Sequence, residues 1–154
     1  MPSQPPEARG GLNERFVICG PPGSGKTTYV SKRRVAGDVV WDLDVVIAVI
    51  CGVKVHEHES QMIGLAGRIR DALVKWVAEN RTSGSVYVIV TSKETAQCIA
   101  RKIGGRVVVL DVPAEECKRR LEAEGRLKPS HFLAFENWDK PQTEARSRNW
   151  GEDD

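Results

Sequence analysis

An α/β domain built around a parallel sheet is the fold class this sequence predicts, on two observations. Four short segments dense in β-branched residues, RFVIC (15–19), DVVWDLD (38–44), SVYVIV (85–90) and RVVVLDV (106–112), are apolar throughout rather than alternating. That composition suits strands covered by helices on both faces. Helical patterns lie between them, so strand and helix take turns along the chain, the order that right-handed crossovers produce.

Each element has its own signals. The first dozen residues, beginning MPSQPPEARGG, are rich in Pro and Gly and read as a disordered tail over 1–13, leaving 14–154 as one domain. The first helix is expected to start inside the glycine-rich stretch after the first strand and to run to about Ala36, with Gly37 as its stop. The longest is expected over Glu59 to Asn80. There Met62, Leu65, Ala66, Ile69, Leu73, Trp76 and Val77 form one apolar stripe, which makes Trp76 a core residue. Ser92 reads as the N-cap of a helix that ends at Gly104 and Gly105. Pro113 with Glu115 and Glu116 opens the next with first-turn chemistry. A basic segment, KRRLEAEGRLKP, then leads into a last amphipathic piece, SHFLAFENW.

The bulk numbers set limits. A chain of 154 residues buries roughly 68 to 70% of its unfolded surface, enough for one core without staples. Its 23 Lys and Arg against 21 Asp and Glu leave a net charge of +2, too little to argue for nucleic acid on bulk electrostatics. Cys19, Cys51, Cys98 and Cys117 are widely spaced without a C-x-x-C pair, the usage of reduced, mostly buried thiols in a cytosolic protein. Cys51 with His56 and His58 matches no usual zinc-ligand spacing. No apolar run approaches the ~18 residues of a membrane span, so no membrane partner and a cytoplasmic location are expected.

The stretch GPPGSGKT fits G-x-x-x-x-G-K-[ST], with Gly20, Gly25, Lys26 and Thr27 at the required places between an apolar strand and a helical stretch. Backbone N–H groups must wrap around phosphate oxygens, and a Cβ at Gly23 or Gly25 would obstruct that approach. The helix N-terminus behind them adds partial positive charge. Gly23, Ser24, Gly25, Lys26, Thr27 and Thr28 are therefore the expected nucleotide-binding residues, with Lys26 reaching the β- and γ-phosphates and Thr27 ligating Mg²⁺. This is a P-loop.

Among P-loop proteins, GTPases need a guanine-reading N-K-x-D, which is absent. The third strand ends in VIVTSKE with no acid at its tip, and Asp111, although it ends a Walker-B-like VVVLD, leads straight into a Pro-started helix and reads as capping or loop structure. The better acids are Asp42 and Asp44, at the end of the second strand, where a parallel sheet places its ligands. Strand alternation would point both carboxylates the same way. One would support the Mg²⁺ shell, for which Asp42 is the choice, and the other would orient an acceptor hydroxyl. A simple N-cap role for Asp44, before a helix starting near Val45, is the competing reading.

The glycine loop, the strand-end DLD and VVVLDVPAEECKRRLEAEGR together resemble the small P-loop kinases, above all the polynucleotide-kinase-like branch and phage-type P-loop ATP-binding proteins. The resemblance spans roughly 14 to 140. It implies a three-layer fold of about four strands in the order 2-3-1-4, and a helical lid around 116–130. It also implies that an aspartate at the end of the second strand, Asp42 or Asp44, is the general base. Lid arginines over the phosphates fall within Arg119, Arg120 and Arg126, with Arg126 foremost. The arginine that polynucleotide kinases often carry three residues past the catalytic aspartate is replaced here by Val45 or Ile47.

The expected activity is thus ATP- and Mg²⁺-dependent phosphoryl transfer to a hydroxyl of a nucleic acid, a 5′-OH end or a hydroxymethylated base in DNA, or of a nucleoside or nucleotide. A small-metabolite kinase resembling the shikimate or gluconate type is one alternative, and an ATP-binding regulatory module with little transfer activity is another. Arg101, Lys102, Arg106, Lys118, Arg119, Arg120, Arg126 and Lys128 are the local basic residues expected to gather near the ligand face.

Overall fold

The structure is a computed structural model that describes residues 13–56 and 61–140. Residues 1–12 of the expected tail, His58, the start of the longest helix at Glu59 and residues 141–154 of the expected domain lie outside the described residues. Four parallel strands, β1 (Arg15–Cys19), β2 (Val39–Trp41), β3 (Val86–Val90) and β4 (Arg106–Val109), form one sheet in the order β2-β3-β1-β4. The helices are α1 (Lys26–Ser31), α2 (Leu43–Cys51), α3 (Gln61–Glu79), α4 (Lys93–Ile103), α5 (Ala114–Ala123) and α6 (Pro129–Asp139). The fold class is the one the sequence predicts, and the strand order is the one its resemblance implies.

Alternation along the central strands sorts the core into two layers. Val17 and Cys19 of β1 and Val86, Val88 and Val90 of β3 pack with Ile47, Ala66, Val74, Val77, Ile99 and Ile103 of α2, α3 and α4. On the opposite face Ile18, Tyr87 and Ile89 meet Val30, with Phe16 stacked on Tyr87 at 5.5 Å between ring centroids. A third, smaller cluster joins Cys117 and Leu121 of α5 to Phe135 of α6, with Val112, Ala114 and Leu127 at its edge. The segment of α5 and α6 therefore carries a core of its own.

Two expectations about the helices are corrected. The first helix stops at Ser31, not near Ala36, and Gly37, at φ 97°, serves the turn into β2. In that turn the buried Asp38 carboxylate accepts from the backbone N–H of Val35 and of Ser85, both at 2.9 Å, so the link is made by a side chain and no further helical turn is needed. In α3 the buried stripe is Ala66, Val74 and Val77, flanked by Met62, Ile69 and Leu73. Trp76 is 52% exposed and Leu65 44%, because α3 packs through a narrower face than the pattern allowed. Cys51 is also exposed, against the expectation of mostly buried thiols, whereas Cys19 and Cys117 are buried.

Ser92 caps α4 as expected, its hydroxyl accepting from the Thr95 N–H at 3.3 Å, and Gly104 closes that helix at φ 66°. At the amino ends of the strands, the Arg15 guanidinium donates to the carbonyls of Ile103 at 2.9 Å and Asn80 at 2.7 Å. That contact ties the ends of α3 and α4 to the start of β1. The carboxyl ends are left to the loops that form the site.

Candidate functional site

β1 ends in Cys19 and releases the chain into the glycine loop. Gly23 and Gly25 hold φ of 80° and 89°, the left-handed region that a side chain disfavours. At Gly23 the close neighbour is α5: an added Cβ would stand 2.8 Å from the Cys117 carbonyl oxygen and 2.9 Å from Leu121 Cγ. Glycine there lets α5 lie on the loop, a packing role in addition to the phosphate approach expected from the sequence.

Lys26 opens α1 and folds back over the loop, its ammonium donating to the carbonyls of Gly20 at 2.8 Å and Pro21 at 2.9 Å. Burial pushes its pKa down to about 8, opposed by the nearby Cys19, Cys117, Asp42 and Asp44. A buried cation hydrogen-bonded to neutral carbonyls has a deficit of negative charge, and phosphate oxygens would make that good. The Ser24 hydroxyl is buried without a hydrogen-bond partner, a second polar group whose needs a ligand could meet. Thr27 and Thr28 are exposed on the first turn of α1.

The Thr27 hydroxyl donates to Asp42 Oδ2 at 2.7 Å. The alternation argument for the acid pair fails here, because β2 stops at Trp41. Asp42 is the N-cap of α2, its Oδ1 accepting from the Asp44 N–H at 3.3 Å, and Asp44 lies in the first helical turn. The capping role read for Asp44 thus falls on Asp42, earlier than a helix start near Val45 implied. Asp42 is buried and touches the loop. Asp44 turns elsewhere, its Oδ2 lying 3.1 Å from His56 Nδ1.

Thr27 and Asp42 fit a hard cation such as Mg²⁺, which binds few protein oxygens and takes the rest of its shell from phosphates and water. Among the described residues no group of three or more His, Cys, Asp or Glu could hold a metal alone.

The three lid arginines separate. Residues 117, 120 and 121 share the helix face that meets the loop, and Arg120 Nη1 lies 3.5 Å from the Gly23 carbonyl oxygen while its Nε donates to Glu116 at 3.1 Å. Arg119 points away and is exposed, paired with the same Glu116. Arg126 pairs with Glu124, and its buried Nε has no partner. Proximity to the loop therefore favours Arg120 over Arg126, reversing the expected order.

The expected gathering of basic residues is also divided. Arg106 begins β4 and pairs with Glu14 at the amino end of β1, and Arg101 and Lys102 lie in the last turn of α4 at that same end. Crossover helices run back along the sheet, so their C-termini lie opposite the P-loop. Only Lys118, Arg119, Arg120, Arg126 and Lys128 remain on the ligand side, and Lys118 is paired with Glu115. Asp111 lies in the loop after β4 and accepts from the Trp138 indole at 3.2 Å, anchoring α6; it does not cap α5, whose N-cap is Pro113.

Sequence reasoning does not reach His56, Lys128 and His131 as a group of site residues. The Lys128 ammonium donates to the His56 carbonyl at 2.9 Å, and the Lys128 N–H donates to His131 Nδ1 at 3.1 Å. Burial, then Lys128 and Arg126, hold the His131 pKa below the ordinary histidine value. The positive φ of 74° at His56, unlike that of any other non-glycine among the described residues, marks this turn, a signal no sequence pattern carries.

The profile of a family described as AAA domain matches residues 16–140, most of the chain. The chain belongs to this AAA-domain family. No curated protein matches it. Among solved structures it is similar to a chain of "Structure of the Pnkp1/Rnl/Hen1 RNA repair complex", with a TM-score of 0.58 and 19% identity over 83% of this chain. The match covers 46% of that chain, so this AAA-domain protein spans about half the length of that relative. At this identity the likeness shows the fold, in agreement with the strand order. No helix among the described residues is long and apolar enough to cross a membrane.

Proposed function

We propose that the protein is an ATP-dependent kinase that passes the γ-phosphoryl group to a hydroxyl of a nucleic-acid end or a nucleotide. The observation that carries this reading is the convergence on one loop of Lys26, the Thr27–Asp42 pair and Arg120 from three separate elements. Phosphoryl transfer asks for little covalent chemistry from a protein and much positioning and charge. Lys26 would neutralise the β- and γ-phosphates, and Thr27 with Asp42 would hold Mg²⁺. Mg²⁺ held there would supply positive charge against the charge that develops on the phosphates. Arg120, already over the loop, would stabilise the transferred group as it moves between oxygens. An acid beyond the loop, Asp42 or Asp44, would serve the acceptor hydroxyl, either itself or through a side chain that it holds.

The acceptor class is supported by the likeness to a chain from an RNA repair complex and by the cations left on the ligand side. Those cations are few and partly paired, which suits one or two acceptor phosphates more than a long polyanion track. The same observation favours a second reading, a small-metabolite kinase. Labelled ATP offered with 5′-hydroxyl DNA and RNA, base-hydroxymethylated DNA, nucleosides, nucleotides and sugar acids tests both. Transfer to a nucleic acid or nucleotide supports the first, transfer confined to a sugar or sugar acid replaces it with the second, and ATP binding without transfer to any of them leaves a binding module.

A further inference from the structure

We propose that the acceptor hydroxyl gives its proton to His56, with Asp44 as the positioning residue that holds the imidazole. The inference rests on the kinase reading and concerns which group meets the acceptor.

Both candidate acids are engaged in ways that distinguish them. Asp42 spends Oδ2 on the Thr27 hydroxyl and Oδ1 on the Asp44 N–H. It is a loop and cap residue. Asp44 holds His56, and since a nitrogen must be the donor to a carboxylate, His56 Nδ1 carries a proton and the lone pair of the neutral ring is on Nε2. A carboxylate that fixes an imidazole tautomer in this way is the usual means of preparing histidine as a base.

The backbone is held as firmly as the ring. His56 sits at φ 74°, a conformation costly for a residue with a Cβ, and the Lys128 ammonium clamps its carbonyl at 2.9 Å. The side chain remains 29% exposed, accessible to an incoming hydroxyl. The place is also right: Asp44 follows by two positions Asp42, whose carboxylate meets Thr27 of the phosphate loop, so the pair stands at the same end of α2 as that contact.

Among the described residues, Asp44 from α2 and Lys128 from the start of α6 contact His56, and His131 of α6 lies in electrostatic reach of it. In the step itself the acceptor O–H bond breaks and its proton goes to Nε2, while the acceptor oxygen forms a bond to the γ-phosphorus. The bond from that phosphorus to the β-γ bridging oxygen breaks, and its electron pair leaves with ADP. The proton on His56 then passes to solvent.

The test uses the full chain with His56→Gly, Asp44→Asn and the double variant. Glycine adopts φ 74° without strain and leaves the carbonyl that Lys128 binds, so H56G removes the ring and not the turn. Transfer from labelled ATP to a 5′-hydroxyl oligonucleotide and to a nucleoside panel is followed from pH 5 to 9, with Mg²⁺–ATP affinity measured by calorimetry. We expect H56G to lose roughly 100-fold or more in kcat at unchanged ATP affinity, to lose the acidic limb of the wild-type profile, and to be rescued by added imidazole. D44N should lose about 10-fold, and the double variant should be no slower than H56G, because Asp44 acts through the ring. Wild-type rate and pH profile in H56G overturn the histidine assignment alone, as does a double variant slower by the product of the single losses. A wild-type protein that binds ATP but phosphorylates no acceptor removes the kinase reading, and this inference with it.

Discussion

The Thr27 hydroxyl and the Asp42 carboxylate meet at 2.7 Å across the gap between α1 and the end of β2. Asn is nearly as good an N-cap as Asp, so Asp42→Asn keeps α2 and removes a charge beside the loop. The expected outcome is a melting temperature within a few degrees of wild type and a Mg²⁺ requirement raised about tenfold or more. Titration of turnover against Mg²⁺ checks it, and an unchanged requirement removes Asp42 from the metal site.

Lys26→Met should abolish most ATP turnover and at the same time stabilise the nucleotide-free protein near pH 7. The folded-state pKa of about 8 lies below the ordinary 10.5, so the unfolded chain holds the proton more tightly and burial of the charge costs stability at every pH below 8. That penalty, up to roughly 3 kcal/mol, is relieved as pH rises from 8 towards 10.5. Denaturant midpoints of wild type and K26M should therefore converge across that window. A constant difference at all pH values contradicts the buried-cation account.

Arg120→Ala should slow transfer by about 10² to 10³ with less than a tenfold loss in ATP affinity, since a cation over the loop acts chiefly on charge developing in the transition state. Arg119→Ala, which removes only an exposed pair with Glu116, should change either by less than twofold. Single-turnover rates beside equilibrium binding separate the two effects. Equal behaviour of the two variants returns α5 to a plain solvated helix.

Gly23→Ala should destabilise the fold by about 2 kcal/mol or more, from left-handed strain plus collision with the Cys117 carbonyl. Thermal melting measures the loss, and a neutral result means that the loop and α5 are not seated together as described.

What the sequence makes legible is whatever depends on neighbours along the chain. The P-loop spacing, the non-alternating strands and the Ser92 and Gly104 caps rest on local chemistry, and each is found in place. Trp76 misleads because a helical stripe says which side is apolar but not how wide a face its neighbour will cover. Arg101, Lys102 and Arg106 group with the lid by their numbers alone, whereas the run of α4 carries them to the far end of the sheet. His56 is silent in the sequence because its partners, Asp44 and Lys128, are 12 and 72 positions away, and neither the left-handed turn nor the tautomer leaves a mark in composition.

The seating of α5 against Gly23 has a consequence for how the molecule reports on its ligand. Because Cys117, Leu121 and Phe135 form a cluster separate from the two sheet layers, α5 and α6 can loosen while the sheet stays intact. A nucleotide that stiffens the loop would be felt first in the backbone amides of α5 and α6, far along the chain from the motif that binds it. Hydrogen exchange there would slow while β1 and β3 changed little, making the helical cap the molecule's own gauge of occupancy.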